Sequence, residues 1–361
     1  MWGKRDDTVV HEGSPFNAEP SRSALAGRGI TPLDTFYSRN HGPIPDIAAR
    51  DWRLAVTGLV GQDLVLTFDE LTSRFIPSSV VATLQCAGNR RAGFTEVREI
   101  SGEDPWGPCA TSTAEWRGVR LRDVLETAGA HTGDDLHVAF TAPDLSPLAT
   151  PRQSYGSSIP VVKACSDEVL LAWEMNGVPL PRVHGGPVRV VVPGYIGARS
   201  VKWVTAITVQ NGPSDNYFQA IAYRILPPEA DPDTAGPGDG ISLSSVALNC
   251  DILDPVDGAT VPAGPLTVRG YALAGDDRSV ARVDVSLDEG CTWRQAELEP
   301  EQSPWSWRLW SLHATTVPGP VTITARAWDS TGALQPESAA ALWNPKGYAN
   351  NSWAHIHLHT S

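Results

Sequence analysis

The residue with the clearest capacity for chemistry is Cys86. It follows an apolar run at residues 80–82 and precedes small residues, which is typical of a strand that exits into a loop, and Arg90 and Arg91 follow shortly after it. Because cationic neighbours favour a thiolate, we expect these two arginines to lower the pKa of Cys86. Soft-metal ligation and nucleophilic attack both require the thiolate. A buried structural cysteine is the ordinary alternative, and the sequence identifies no His–Asp partner pair for a thiol enzyme.

A second feature is a stretch without acidic residues in an acidic chain. The protein has 41 Asp and Glu against 28 Lys and Arg, a formal net charge of −13. Residues 177–214 nevertheless contain no Asp or Glu and carry the cationic or titratable side chains of Arg182, His184, Arg189, Arg199 and Lys202. Cations among glycines, whose bare backbone lets a ligand approach, suit a phosphate or another oxyanion. A solvated basic face or an interface with a second domain would have the same composition.

A third cluster, residues 35–41, is rich in hydrogen-bond donors and is followed by Gly-Pro-Ile-Pro. Taken alone, it is also consistent with an ordinary capped loop. It indicates a functional site only if the fold brings it close to the other two clusters.

The predicted secondary structure that must position these clusters changes along the chain. Up to about residue 225, strand-like runs such as residues 51–60 mix with helical segments such as residues 121–129, which Gly129 would end. Residues 226–245 are rich in Pro, Gly, Asp and Ser, which indicates a linker.

Beyond the linker, apolar and polar residues alternate. Residues 280–287 and 321–328 show this period of two, and each run is followed by a turn signal. Short strands with this punctuation predict an all-β sandwich of immunoglobulin-like type over residues 246–361. The predicted fold class is therefore α+β, with a mixed α/β domain over residues 1–225 and the sandwich after it.

Composition excludes several classes of protein. The negative charge argues against a nucleic-acid partner, and no apolar run approaches the ~20 residues that cross a membrane. Five cysteines without metal-finger spacing favour free thiols. The first residues show no secretory or twin-arginine signal, so we expect a cytoplasmic protein.

Taken together, these segments resemble the sulfite oxidase family. The similarity extends from about residue 32 into the C-terminal region and covers both predicted domains. The matching segments are FYSRNHGPIP (36–45), LQCAGNRR (84–91), STAEWRGVRL (112–121), residues 174–203, residues 268–293 and WNPKG (343–347).

The resemblance implies a molybdopterin cofactor, with Cys86 as the protein ligand of molybdenum. It makes residues 1–225 the molybdopterin-binding catalytic domain and the sandwich a dimerisation domain, so that a homodimer is expected. The residues that it implies for pterin and phosphate contact are Phe36, Tyr37, Ser38, Arg39, Asn40, His41, Asp144, His184, Arg189, Ser200, Val201 and Lys202.

The resemblance also implies a substrate pocket beside the metal. Its expected residues are Arg39, Arg91, Trp106, Tyr223 and Lys346. Lys346 stands where the family carries arginine, which keeps the charge but loses the bidentate fork. Cys109 and Val183 are two further departures from the family pattern. We interpret Cys109 as a change in packing with a chance of an effect on the pocket, and Val183 as the loss of a carboxylate hydrogen bond.

The implied reaction is oxygen-atom transfer that converts sulfite to sulfate. The sequence shows no haem or flavin segment, so we expect the electrons to pass to oxygen or to an external carrier such as a cytochrome. The alternatives are a related enzyme that reduces another oxyanion, as nitrate reductases do, and a catalytically silent molybdopterin-binding protein.

Overall fold

Short strands dominate the architecture. A computed structural model describes residues 2–149 and 151–361. The strands within these ranges are β1 (Val9–Gly13), β2 (Phe16–Glu19), β3 (Arg53–Gly58), β4 (Leu64–Thr67), β5 (Pro77–Gln85), β6 (Thr111–Arg120), β7 (Leu136–Ser146), β8 (Gln153–Pro160), β9 (Leu170–Met175), β10 (Val178–Pro179), β11 (Arg189–Val191), β12 (Ala206–Asn211), β13 (Arg224–Ile225), β14 (Ile241–Ser242), β15 (Asn249–Asp254), β16 (Thr260–Val261), β17 (Gly264–Leu273), β18 (Val280–Ser286), β19 (Arg294–Gln295), β20 (Glu297–Leu298), β21 (Arg308–Thr316), β22 (Gly319–Asp329) and β23 (Ala354–Thr360).

The helices are few and short. The α-helices are α1 (Arg22–Leu25), α2 (Phe68–Arg74), α3 (Ala92–Thr95), α4 (Leu121–Thr127) and α5 (Val161–Ala164), and single 3₁₀ or π turns lie at Ala49–Asp51, Arg182–His184, Gly197–Arg199, Phe218–Ala222 and Ala339–Ala341. Helix α4 is the helix that the sequence predicts over residues 121–129. It is followed by Gly129 with φ 66°, the left-handed conformation that ends helices. Over residues 2–149 and 151–361, no helix is both long and apolar enough to span a membrane.

Two five-stranded sheets build the first part of the chain. One has the order β10-β9-β6-β5 with β11 also paired to β9, and the other has the order β4-β3-β12-β7-β8. Strand β3 shows why the two sheets pack together. Leu54 and Val56 are fully buried, whereas Arg53, the first residue of the strand, is exposed. This period of two gives each sheet one face that belongs to a shared apolar core.

The second part is a sandwich of two sheets. A four-stranded sheet, β15-β17-β21-β20, faces a five-stranded sheet, β16-β23-β22-β18-β19, across a separate apolar core. The predicted runs at residues 280–287 and 321–328 are observed as β18 and β22. The α+β prediction with a terminal all-β sandwich is confirmed.

The last strand, β23, contains three histidines at alternate positions. In β23, Ile356 and Leu358 are buried, whereas His355, His357 and His359 lie on the opposite, exposed side. Among the residues that the structure describes, no group of three or more His, Cys, Asp or Glu side chains could hold a metal ion. The pattern is therefore that of a strand with one solvated face.

Hydrogen bonds to Thr83, a residue of β5, join the two parts of the chain. The backbone N–H of Thr83 donates to the carbonyl of Trp305 over 2.9 Å, and the N–H of Trp307 donates to Thr83 Oγ1 over 2.8 Å. Strand β5, which leads to Cys86, is thus hydrogen-bonded to the second part of the chain as well as to its own sheet.

The predicted linker at 226–245 contains β14, which pairs with β13.

Candidate functional site

Cys86 occupies the first position after β5 and is 7% exposed. Its backbone N–H donates to the carbonyl of Ala110, one residue before β6, over 2.8 Å. The last four residues of β5 are buried, and pairing with β6 continues to Gln85. The fold therefore delivers the thiol to the sheet edge, as the sequence predicts.

A cavity opens at this edge. It encloses about 640 Å³ of empty space, part of which is open to solvent. Its lining brings together three segments that lie far apart in sequence: residues 36–41, Cys86, and the acid-free stretch. The lining residues from the predicted cofactor set are Phe36, Tyr37, Ser38, Arg39, Asn40, His41, Asp144, His184, Arg189, Ser200 and Lys202.

Val201 is the member of the predicted set that does not line the cavity. It is 1% exposed, packs in the apolar core, and its carbonyl accepts the N–H of Val190 over 2.8 Å. Its side chain therefore supports the neighbouring Ser200 and Lys202 from behind.

The cavity carries buried cations whose hydrogen bonds go to neutral acceptors. The guanidinium of Arg189 donates to the carbonyls of His184 over 2.9 Å and of Ser200 over 2.8 Å. Lys202 Nζ donates to the carbonyl of Arg39 over 2.9 Å and to the Asn40 side chain. Burial lowers the pKa of Arg189 to about 10 and that of Lys202 well below its usual value, since desolvation penalises the charged forms. An anionic group in the cavity would relieve this penalty.

Asp144 is the carboxylate of this lining, and it is incompletely bonded. Its Oδ1 is buried without a hydrogen-bond partner, as is the Oγ of Ser38. Burial raises the pKa of Asp144 to about 7, although nearby Lys202 lowers it in part. Buried polar atoms are rarely left without partners, so these two atoms fit a ligand that supplies hydrogen bonds.

The prediction that Arg90 and Arg91 lower the pKa of Cys86 below its usual value is wrong. Burial raises the pKa of the Cys86 thiol, and Arg39 and Arg91 lower it only in part. Arg90 turns away from the thiol, with its Nε 2.8 Å from Asp251 Oδ2 in the second part of the chain. A buried thiol of this kind favours its thiolate when a metal cation is bound to it.

A second cavity adjoins the first. Arg39, His41 and Tyr223 line both cavities, and Lys346 lines the second together with Glu103 and other residues. The Tyr223 hydroxyl and His41 Nε2 lie 2.6 Å apart. Three of the five predicted substrate residues, Arg39, Tyr223 and Lys346, thus line the second cavity, and two of them, Arg39 and Tyr223, also line the first cavity with Cys86.

The other two predicted substrate residues lie behind this lining. The guanidinium of Arg91 donates to the carbonyls of Lys346 over 3.0 Å and of Asp104 over 2.8 Å. Trp106 is fully buried, lies with its ring centroid 4.7 Å from that of His11, and lines neither cavity. Arg91 therefore links Lys346 to Asp104 behind the lining, and Trp106 packs in the buried cluster that contains Cys86.

The two sequence departures, Cys109 and Val183, line neither of these two cavities. Cys109 is buried in the main core, and its N–H donates to Glu19 over 2.9 Å. Val183 packs against Phe16 and Ala18 near the chain start. The structure places both residues in packing positions.

Sequence reasoning missed Tyr155 and Tyr348. Tyr155 lines the first cavity, donates to the Ala198 carbonyl over 2.8 Å, and stacks on His41 with ring centroids 4.7 Å apart. Tyr348 lines the second cavity and stacks on Tyr223 at 5.5 Å. Neither residue lies in a cluster with unusual charge, so only the three-dimensional arrangement reveals them.

Comparisons with known proteins agree with this geometry. Residues 41–218 match the family described as oxidoreductase molybdopterin binding domain, and residues 242–361 match the Mo-co oxidoreductase dimerisation domain. Mitochondrial sulfite oxidase of Mus musculus is 43% identical over 98% of this chain and 67% of its own length, and sulfite oxidase of Gallus gallus is 43% identical over 95% of this chain and 76% of its own. The crystal structure of the sulfane dehydrogenase SoxCD from Paracoccus pantotrophus superposes with a TM-score of 0.81 at 28% identity, covering 96% of this chain and 85% of that one.

Proposed function

The chain belongs to the sulfite oxidase family of molybdopterin oxidoreductases, and from this premise we propose that it oxidises sulfite to sulfate with a molybdenum cofactor held at Cys86. The observation that carries the proposal is the cavity in which Cys86 meets Arg39, Arg189 and Lys202. A soft ligand beside buried cations suits a metal bound to an anionic organic cofactor.

The residues of the first cavity fit molybdopterin. Cys86 would ligate the metal, and Asp144 and Ser38 would bond the amino groups and other donors of the pterin through their unpartnered oxygens. Arg189 and Lys202 would neutralise the phosphate. The chemistry that the cofactor supplies when bound is oxygen-atom transfer coupled to uptake of two electrons.

Side chains of the second cavity would bind and orient sulfite. Burial raises the pKa of Tyr223, so its hydroxyl stays protonated and can donate to an oxyanion. Burial and the nearby charges of Arg39 and Lys202 lower the pKa of His41 well below its usual value, which keeps this imidazole neutral. Arg39 and Lys346 add positive charge. The pocket thus stabilises the oxyanion electrostatically, with donors fixed before the substrate arrives.

We further propose that electrons leave to oxygen or to a separate carrier such as a cytochrome. The match to a dimerisation domain over residues 242–361 supports a homodimer.

The test is steady-state turnover of protein with a measured molybdenum and pterin content. Sulfite is supplied against ferricyanide, cytochrome c and oxygen in parallel. We expect sulfite-dependent reduction of at least one acceptor, in proportion to molybdenum content. Molybdenum-loaded protein that leaves sulfite unoxidised with every acceptor would overturn the proposal.

A further inference from the structure

We propose that Glu103 and Asp104 set the charge selectivity of the substrate pocket, so that a doubly charged oxyanion is held weakly enough to leave. This inference rests on the proposed function, because it takes the second cavity as the site of sulfite binding and sulfate release. Both residues belong to the loop between α3 and β6, and both line that cavity.

Two cations of the pocket lining, Arg39 and Lys346, and one behind it, Arg91, each lie close to one of these carboxylates. Glu103 Oε2 lies 3.3 Å from Arg91 Nη2, and Glu103 Oε1 lies 3.9 Å from Lys346 Nζ. Asp104 Oδ2 lies 3.7 Å from Arg39 Nη1. The two carboxylate side chains are only 16% and 14% exposed, so water screens them incompletely.

The cofactor cavity next to it is built differently. There, Arg189 and Lys202 donate to carbonyls and an amide, and Asp144 is the carboxylate of the lining. Cations that donate to neutral groups suit an anion that stays bound. Cations paired with carboxylates suit an anion that must exchange in every turnover, because the carboxylates repel the product and so offset part of the attraction of the cations.

The oxidation of sulfite explains why the bound anion must be able to leave. In the net reaction sulfite and water give sulfate, two protons and two electrons, and the electrons pass to the acceptor. The product sulfate is therefore a dianion, like fully deprotonated sulfite, and the same cations bind it. Removing one carboxylate charge would hold that dianion more tightly. Because the Coulomb energy scales with the charge of the ligand, a monoanion of the same shape would gain only half as much binding free energy.

Sulfate and perchlorate provide this matched pair, since both are tetrahedral and they differ by one charge. Their dissociation constants are measured by titration calorimetry on molybdenum-loaded wild-type, Glu103→Gln and Asp104→Asn proteins. Glu99→Gln, an exposed residue on the same loop, is the control for a change of one charge outside the pocket.

For Glu103→Gln and Asp104→Asn we expect sulfate to bind on the order of tenfold more tightly and perchlorate about threefold. Inhibition by sulfate should deepen while the KM for sulfite falls, and Glu99→Gln should match the wild type. Unchanged or weaker sulfate binding, or equal changes for both anions, would overturn the inference, because a purely structural role of the carboxylates gives that result. Tighter sulfate binding in a protein that fails to oxidise sulfite would support the charge assignment and overturn the proposed function alone.

Discussion

Replacing Lys346 with alanine should weaken sulfite binding far more than it slows turnover. Lys346 stands where the sulfite oxidase pattern has arginine, and its ammonium is the cation that the second part of the chain contributes to the second cavity. Its backbone carbonyl accepts from Arg91, and that bond survives the substitution. The variant therefore removes the charge and leaves the wall in place.

The magnitude follows from the surroundings of the ammonium. A unit charge about 5 Å from an oxyanion contributes about 3 kcal/mol at an effective dielectric constant of about 20. Glu103 at 3.9 Å opposes this attraction, and the Lys346 side chain is 17% exposed, so water screens it in part. About half of the energy should remain, which corresponds to about a tenfold rise in KM.

The assay is steady-state sulfite oxidation by wild-type, Lys346→Ala and Lys346→Arg proteins matched for molybdenum content. We expect KM to rise about tenfold in Lys346→Ala with kcat changed less than twofold, and the arginine variant to restore tight binding. An unchanged KM in Lys346→Ala would place Lys346 outside the pocket and refute the reasoning.

Three further predictions concern the cofactor, the joint between the two parts, and the substrate hydroxyl. Asp144→Ala should lower the pterin content, measured by fluorescence of the released and oxidised pterin, because it removes the Oδ1 that is placed to accept from a ligand; a normal content would contradict this role. Arg90→Ala should destabilise the protein by about 2–3 kcal/mol in thermal or urea unfolding, because Asp251 loses one of its two cationic partners while Arg22 stays 2.7 Å from it. An unchanged transition would show that this ion pair does not hold the two parts together. Tyr223→Phe should reduce kcat/KM for sulfite about 10–100-fold at normal pterin content, because it removes a pre-placed donor; wild-type kinetics would exclude the hydroxyl from substrate binding.

Local patterns in the sequence predict much of the framework. The alternation at residues 280–287 and 321–328 predicts β18 and β22 and the apolar side chains, such as Val283, Val285 and Ile323, that they contribute to the sandwich core, and Gly129 predicts the end of α4. The acid-free stretch predicts an anion site because uncompensated cations are costly in a fold unless an anion binds them. These are properties of neighbours along the chain.

Other features depend on distant parts of the chain and leave no local signal. Arg90 and Arg91 are adjacent, yet Arg90 turns to Asp251 and Arg91 to the loop at Asp104, because Arg90 has a φ of 66° and Arg91, which directly precedes α3, has a φ of −56°. The pKa of Cys86 depends on burial, which sequence neighbours do not determine. Glu103 is an ordinary surface residue by sequence and is recognised as part of the pocket only when it lies beside Lys346.

The central claim is that Cys86 ligates molybdenum in the cationic cavity. Molybdenum K-edge X-ray absorption on wild-type and Cys86→Ser protein, with the pterin content measured on the same samples, tests it most directly. We predict that the variant keeps most of its pterin and shows one sulfur ligand fewer than the wild type. An unchanged sulfur shell in the variant, or wild-type protein from a molybdenum-replete host without metal or pterin, would contradict the account.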